Sequence, residues 1–495
     1  MRLLSKDQLD RVLPAETHAF PGPIPTQIVS SDEFLPLPQT ERQREVEARL
    51  KALGNELGRR QGLSRRAFFK SAAGMAAAFV AMNEVYGRLF DTTRAEAADP
   101  ARSDERAKAL AGQFIMDTHT HFQKDDTRMM TFVNMREVLR KLGWNPEIDH
   151  PQTIEDLKFD SYFKGIFLDS DTKVALISSA PSDVPDDWVL TNEQTAAARA
   201  RVNARLGARR LLSHSMMTPG HPGWLEALEQ AVVDFKPDSI KGYTIGDNYH
   251  KNLSHYPWHL DDERLVYPAY ETISKAGIRN VCVHKGIFPE ALDRRFPNLR
   301  PYCDVRDVGK AAQDWPQLNF IIYHSGYRMP FDPTEAEAHF EKTGRIEWLT
   351  DLADIPGKYG VSNVYADLGQ VVAWTLIAAP RLGAGALGSL IKGMGVDHVI
   401  WGSDAVWTGS PQWQIEGLRR LEIPEDMQKR HGFAPLGPAD GPVKTAIFGE
   451  NVAKLYGYDR HAELGRPDRL AELKKEYERL GADRSNVRYG YVAKG

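Results

Sequence analysis

The stretch "FIMDTHTHF" (residues 114–122) sets His119 and His121 two positions apart behind a short apolar run. Along a strand, successive side chains alternate faces, so Asp117, His119 and His121 share one side. Two imidazoles aimed together make half of a metal site; the plainer reading is a pair of strand-end polar residues bonded to loop carbonyls. Further along, His284 stands in "NVCVHKG", His324 in "NFIIYHSG" and Asp404 in "HVIWGSD", each closing an apolar run. Taken singly, either histidine could be a satisfied core residue, and Asp404 could cap a helix. Together, imidazoles and a carboxylate form a mixed nitrogen and oxygen shell that suits Zn²⁺ well and Mn²⁺ or Fe²⁺ less uniquely. Such a shell with one open position lowers the pKa of water to near neutral.

The elements that would position these side chains recur after residue 110. Short apolar runs at 114–121, 172–179, 210–217, 238–244, 280–286, 319–326, 364–369 and 398–404 alternate with helical stretches such as "NEQTAAARARVNARLG". Most runs are continuously apolar in the middle, as strands buried on both faces should be. Strand, helix, strand, eight times over, predicts a (β/α)8 barrel. A doubly wound open sheet is the runner-up, but no G-x-G-x-x-G follows the first strand. His119, His121, Lys241, His284, His324 and Asp404 all fall at the C-terminal ends of their runs, the end that carries the site in barrel enzymes.

These residues, with "CVHKG", "YHSGY", "WGSDAVW" and "IFGENVAKLYG", resemble the amidohydrolase superfamily across residues 114–457, and within it the amidohydrolase-related branch. That branch holds metal-dependent hydrolases and aminocarboxymuconate-semialdehyde and resorcylate-type decarboxylases. The resemblance implies one divalent metal on His119, His121, His284 and Asp404, with His324 as the proton-transfer residue; an unperturbed imidazole pKa near 6.5 suits that task. Asp404 is thereby both ligand and part of the catalytic group. Lys241 corresponds in place to the metal-bridging lysine of binuclear members; in this mostly mononuclear branch a substrate or structural role is expected instead. Lys285, Arg328 and Trp407 are the other expected substrate contacts, the basic ones matched to a carboxylate-bearing small molecule. Asp117, one layer deeper, is expected to support the ligands. A hydrolase of an amide, lactone or ester is the first functional expectation. A nonoxidative decarboxylase of an aromatic or unsaturated acid is the second, and a non-catalytic metal-binding barrel the third.

Composition narrows the rest. The 495-residue chain is 42% hydrophobic and 26% charged with a formal charge of −4, which suits a soluble globular fold and gives no basic surface for nucleic acid. A homo-oligomer is compatible with it. Cys282 and Cys303 are too few for a disulfide scaffold, and Cys282 reads as a buried thiol. Residues 64–70, "SRRAFFK", precede a small-residue apolar stretch and an A-x-A pattern at Ala95 and Ala97. This resembles a twin-arginine export signal over 64–97 and implies the export machinery as a partner and a periplasmic location, or anchoring by an uncleaved leader. The alternative is a basic helix start before an alanine-rich helix. Residues 1–63 form an extension before the leader, the barrel spans 110–460, and 461–495 hold a charged, solvated C-terminal helix. The long insertion after the first strand, with "RMMTFVNMREVLRKLGW", is expected to carry an amphipathic helix, either a lid or inert.

Overall fold

The computed structural model describes residues 22–28, 39–127, 141, 157–246, 254–330, 332–464 and 467–480. Eight parallel strands follow one another in chain order around one sheet. They are β1 (Met116–Thr120), β2 (Val174–Ile177), β3 (Leu211–Met217), β4 (Ser239–Tyr243), β5 (Asn280–His284), β6 (Asn319–Tyr323), β7 (Val364–Asp367) and β8 (Val399–Ile400). Each falls inside the run that predicts it. Past the short β8, the chain returns to β1: Thr118 N donates to Trp401 O (3.1 Å) and Asp404 N to His119 O (2.8 Å). A parallel bridge between Thr120 and Ala405 completes this seam, so the sheet comes round into a nearly closed barrel.

The crossover helices begin and end on local chemistry. In Asn192–Leu206, the Thr191 hydroxyl accepts from Gln194 N while the Gln194 side chain accepts from Thr191 N, and Gly207 closes the helix at φ 62°. That pairing satisfies two N-terminal amides, and glycine takes the left-handed closing position without Cβ strain. The helix buries Thr195, Ala198, Val202 and Leu206, a single face at three- and four-residue spacing.

Residues 64–97, expected as an export leader, pack against the barrel. Eleven of the fifteen residues of the helix Ala72–Tyr86 are buried, Phe79 among them. Small residues let it approach its neighbours closely: a Cβ on Gly74 would lie 2.2 Å from the Phe68 carbonyl oxygen. Beyond it, Phe90 bridges Leu421 and the Arg420 guanidinium, nearly buried, pairs with Glu96 at 2.8 Å. Ala97, at the expected cleavage site, is fully buried. No helix among the described residues is long and apolar enough to cross a membrane.

One further expectation changes. The C-terminal helix Arg469–Arg479 forms, but it is not simply solvated: Leu470, Lys474 and Tyr477 are buried, and Lys474 Nζ donates to the Ser170 carbonyl. One amphipathic face therefore docks while the charged face stays in water. Both cysteines are buried free thiols. Between β1 and β2, Phe159–Phe163 and Lys164–Leu168 are helical and bury Tyr162, Phe163 and Phe167. Apart from Lys141, the segment expected as an amphipathic helix, either a lid or inert, lies outside the described residues.

Candidate metal centre

At the C-terminal mouth of the barrel, His119 Nε2 and His121 Nε2 lie 3.1 and 3.3 Å from Asp404 Oδ1. The other nitrogen of His119, Nδ1, is 2.9 Å from Asp367 Oδ1. An imidazole beside a carboxylate carries its hydrogen on the facing nitrogen, which leaves Nε2 as a lone pair. That lone pair meets no hydrogen-bond partner in a fully buried setting and looks straight at a carboxylate oxygen. Two electron-rich atoms so placed call for a cation between them. His119, His324 and Asp404 offer ligand atoms that all lie within 4.8 Å of one another. The nitrogen and oxygen donor set thus fits a divalent transition ion.

His324 and His284 complete the cluster. His324 Nδ1 lies 3.0 Å from the Gly369 carbonyl and can only donate to it, so Nε2 carries the lone pair. His284 Nδ1 stands 3.1 Å from that Nε2 and donates to it. His284, the most exposed of the four, stacks on Tyr243. All four imidazoles are held well below their usual pKa, first by burial; the Lys241 charge comes next for His119, His121 and His324, while for His284 the neighbouring His324 precedes it. They are neutral, as ligands must be. Burial pushes the Asp404 carboxyl up, opposed by Gln370 and Lys241; a bound cation would oppose it further.

The backbone that permits this geometry is unusual. A Cβ on Gly369 would sit 2.4 Å from His119 Nδ1, and one on Gly402 would sit 2.1 Å from Asp367 Oδ2, so only glycine lets the Asp367–His119 pair form. His324, Ser325, Gln370 and Asp404 all take φ between 50° and 63°, a left-handed conformation that non-glycine residues adopt mainly where surrounding structure forces it. Asp117 supports the seam as expected: its Oδ1 accepts from His119 N (3.1 Å) and Ser403 N (3.0 Å), and burial raises its carboxyl to about 7.

Lys241 on β4 is fully buried, with Nζ 3.2 Å from the centre of the Tyr323 ring. Trp407 stacks on His121 with ring centres 5.5 Å apart and forms an apolar wall. Two expected substrate contacts are corrected. Lys285 is turned away from the cluster and buried, its Nζ 2.8 Å from both Asp307 Oδ2 and the Tyr302 carbonyl. The reason is strand alternation: with His284 facing in, the next residue faces out. Arg328 is held by Glu347 (2.7 Å) and Asp293 (2.6 Å), over the Trp348 ring. Its guanidinium is committed to a rim ion-pair network.

Residues missed from sequence include Asp367, Tyr323 and Gln370. Asp367 ends the β7 run "VYADLG", the same placement that flags the histidines, and that signal could have found it. Tyr323 could not have been found this way: it sits inside the β6 run, its ring lies tilted against His119 with centres 4.0 Å apart, and it donates to the Thr118 carbonyl at 2.6 Å.

An eight-stranded parallel barrel with imidazoles and a carboxylate gathered at its C-terminal mouth defines a barrel protein with a candidate metal centre. The amidohydrolase family model Amidohydro_2 matches residues 184–458, more than half of the chain, and the chain belongs to that family. No curated protein matches it. Among solved structures, the chain is similar to an uncharacterised TIM-barrel protein from Bordetella bronchiseptica, at 14% identity, 70% of this chain, 98% of that one and a TM-score of 0.43. It is also similar to 5-carboxyvanillate decarboxylase from Sphingomonas paucimobilis, at 14% identity, 70% and 99% coverage and a TM-score of 0.39. A third is 2,6-dihydroxybenzoate decarboxylase from Rhizobium, at 12% identity, 70% and 99% coverage and a TM-score of 0.40.

Proposed function

We propose that the chain is a metal-dependent hydrolase of a small organic molecule that carries an amide, lactone or ester. One observation carries the reading: the Gly369 carbonyl takes the Nδ1 hydrogen of His324, which makes Nε2 a neutral acceptor beside the metal cluster, one that exchanges the His284 Nδ1 hydrogen, 3.1 Å away, for that of the water. Held by His119, His121, His284 and Asp404, a divalent ion would supply Lewis acidity and a water of lowered pKa. His324 Nε2 takes the proton from the attacking water and returns it to the leaving group. Asp367 keeps the His119 ring in the tautomer that presents Nε2 to the ion. Trp407 gives the substrate an apolar wall, and burial of the whole cluster strengthens each charge interaction within it.

A second reading is nonoxidative decarboxylation, and Lys241 favours it. A fully buried ammonium inside the barrel favours an anionic group at the site, such as a substrate carboxylate. In that reading the C–C bond to the carboxylate breaks, CO₂ leaves, and the carbon takes a proton delivered by His324. A screen of the metal-loaded protein against lactones, esters, amides and aromatic acids, with CO₂ scored separately from hydrolysis, tests the two. Hydrolysis without CO₂ supports the first. CO₂ release from an acid replaces it with the second, and neither activity at full metal occupancy leaves a non-catalytic barrel.

For location we propose twin-arginine export with the leader retained. What supports export is the order Ser64, Arg65, Arg66, Phe68 and Lys70. What supports retention is the burial of Ala72–Tyr86 and Ala97. Replacing both arginines by lysine should leave the protein folded in the cytoplasm; unchanged export removes the proposal.

A further inference from the structure

We infer that the helix Glu41–Arg60 is a built-in cover for the export signal: it holds Phe68 and Phe69 in a slot on its own surface, so the signal is read only after the segment from Ser64 leaves that slot. The inference rests on the reading of residues 64–97 as an export leader, and adds to that reading a task for the residues in front of it.

The helix is secured by its own end. The Thr40 hydroxyl accepts from Gln43 N while the Gln43 side chain accepts from Thr40 N, the reciprocal cap also seen at Thr191 and Gln194. Its buried side includes Val46, Leu50, Leu53, Gly54, Leu57 and Gly58, at three- and four-residue spacing on one face. Two of these are glycine, which is costly inside a helix and needs a reason. The reason lies opposite. A Cβ on Gly54 would come 2.4 Å from Phe69 Cζ, and one on Gly58 would come 3.3 Å from Phe68 Cβ. The side chains that the glycines lack are the room the two phenylalanines occupy, and both rings are fully buried there.

Polar contacts fasten the same helix to the far part of the leader. Arg49 meets Glu84 at 3.2 Å, Glu56 meets Arg94 at 2.6 Å, and Gln61 Nε2 donates to the Ala97 carbonyl at 3.2 Å. These ion pairs are partly exposed and weak singly, so the buried rings supply most of the hold. The export pattern is Ser64, Arg65, Arg66, Phe68 and Lys70. Docking splits it: Arg66 is exposed and Phe68 is not exposed at all. A receptor that reads the pattern as an address needs both. It therefore binds the fraction of molecules in which the segment has left the slot, and its apparent affinity falls by that fraction.

The test is binding of the full-length protein to the purified twin-arginine receptor by surface plasmon resonance, with hydrogen exchange of the amides of residues 65–86 measured in parallel. Gly54→Leu fills the slot while favouring the helix, and Phe69→Ala removes one of the rings without touching the pattern. Each should speed the exchange and tighten receptor binding by a similar factor, on the order of tenfold. Unchanged exchange in both variants shows that the slot does not hold the segment, and overturns the inference. Faster exchange at unchanged receptor affinity overturns it equally, while the export reading survives. Replacing Arg65 and Arg66 by lysine in the Gly54→Leu protein should abolish the binding. If it does not, or if neither wild type nor the variants bind, the export reading falls and this inference falls with it.

Discussion

Asp367 takes the hydrogen of His119 Nδ1 on one oxygen and that of the Thr118 hydroxyl on the other, each at 2.9 Å. The carboxylate ends β7 and the two residues it holds belong to β1, so strands on either side of β8 are tied through one buried group. The same bond sets which nitrogen of His119 faces the cluster.

Loss of that bond should weaken the metal without unfolding the barrel. Asp367→Ala is expected to lower metal affinity about 10- to 100-fold, measured by competition with a chromogenic chelator. Wild-type affinity in the variant would show that Asp367 does not orient His119.

His324 is the residue on which the chemistry turns. Purified protein should carry close to one divalent ion per chain, and His119→Ala should lose it. His324→Asn should keep the ion while turnover on whichever substrate the screen finds falls about 10²- to 10⁴-fold. Because His324 stands within 4.8 Å of the His119 and Asp404 ligand atoms, the informative alternative is loss of metal in step with activity. That outcome would make His324 a ligand and release His284 from the shell.

Arg419 supplies a stability prediction with a pH sign. Its guanidinium, almost fully buried, bonds Asp171 (2.7 Å), Glu416 (2.8 Å), Gln113 (2.9 Å) and the Leu110 carbonyl (2.9 Å). Burial alone would raise the Asp171 carboxyl, but Arg419 and Lys474 hold it below its usual value. The stabilisation is thus present above the unfolded pKa of about 3.9 and is lost as the pH falls through the folded value. Arg419→Met should cost about 3–5 kcal/mol at neutral pH, by denaturant titration, because it strands buried carboxylates. The deficit should narrow toward about pH 4, where Asp171 protonates in the variant. An equal deficit at both pH values would assign it to packing alone.

The leader should behave as part of the fold. A chain starting after Ala97 would lack Phe79 and the Glu96 partner of Arg420, and it is expected to be insoluble or unfolded by circular dichroism. The intact mass of the natural protein should include residues 65–97. Recovery of a stable, metal-loaded protein beginning near residue 98 would show the leader to be dispensable.

Much of the barrel and its histidines was legible in the chain itself, for a local reason. A strand buried on both faces must be continuously apolar, and a reactive group at its C-terminal end breaks that run visibly, as His119, His121, His284, His324 and Asp404 do. The lysine and arginine expected at the substrate carried no such signal. Lys285 and Arg328 are told from Lys241 only by which way the strand or loop turns each side chain and by the distant Asp307, Glu347 and Asp293 that claim the first two. The leader shows the same division. Its arginine pair and small-residue run are local patterns, but its burial depends on Leu421, Arg420 and the barrel helices more than 300 residues away. Sequence determined the periodicities and the donor chemistry, because these are properties of neighbouring residues. Tertiary structure alone decided the lone pair of His119, the tie between Asp367 and His119 and the docking of residues 64–97, because each is a relation between groups that only folding brings within a few ångströms.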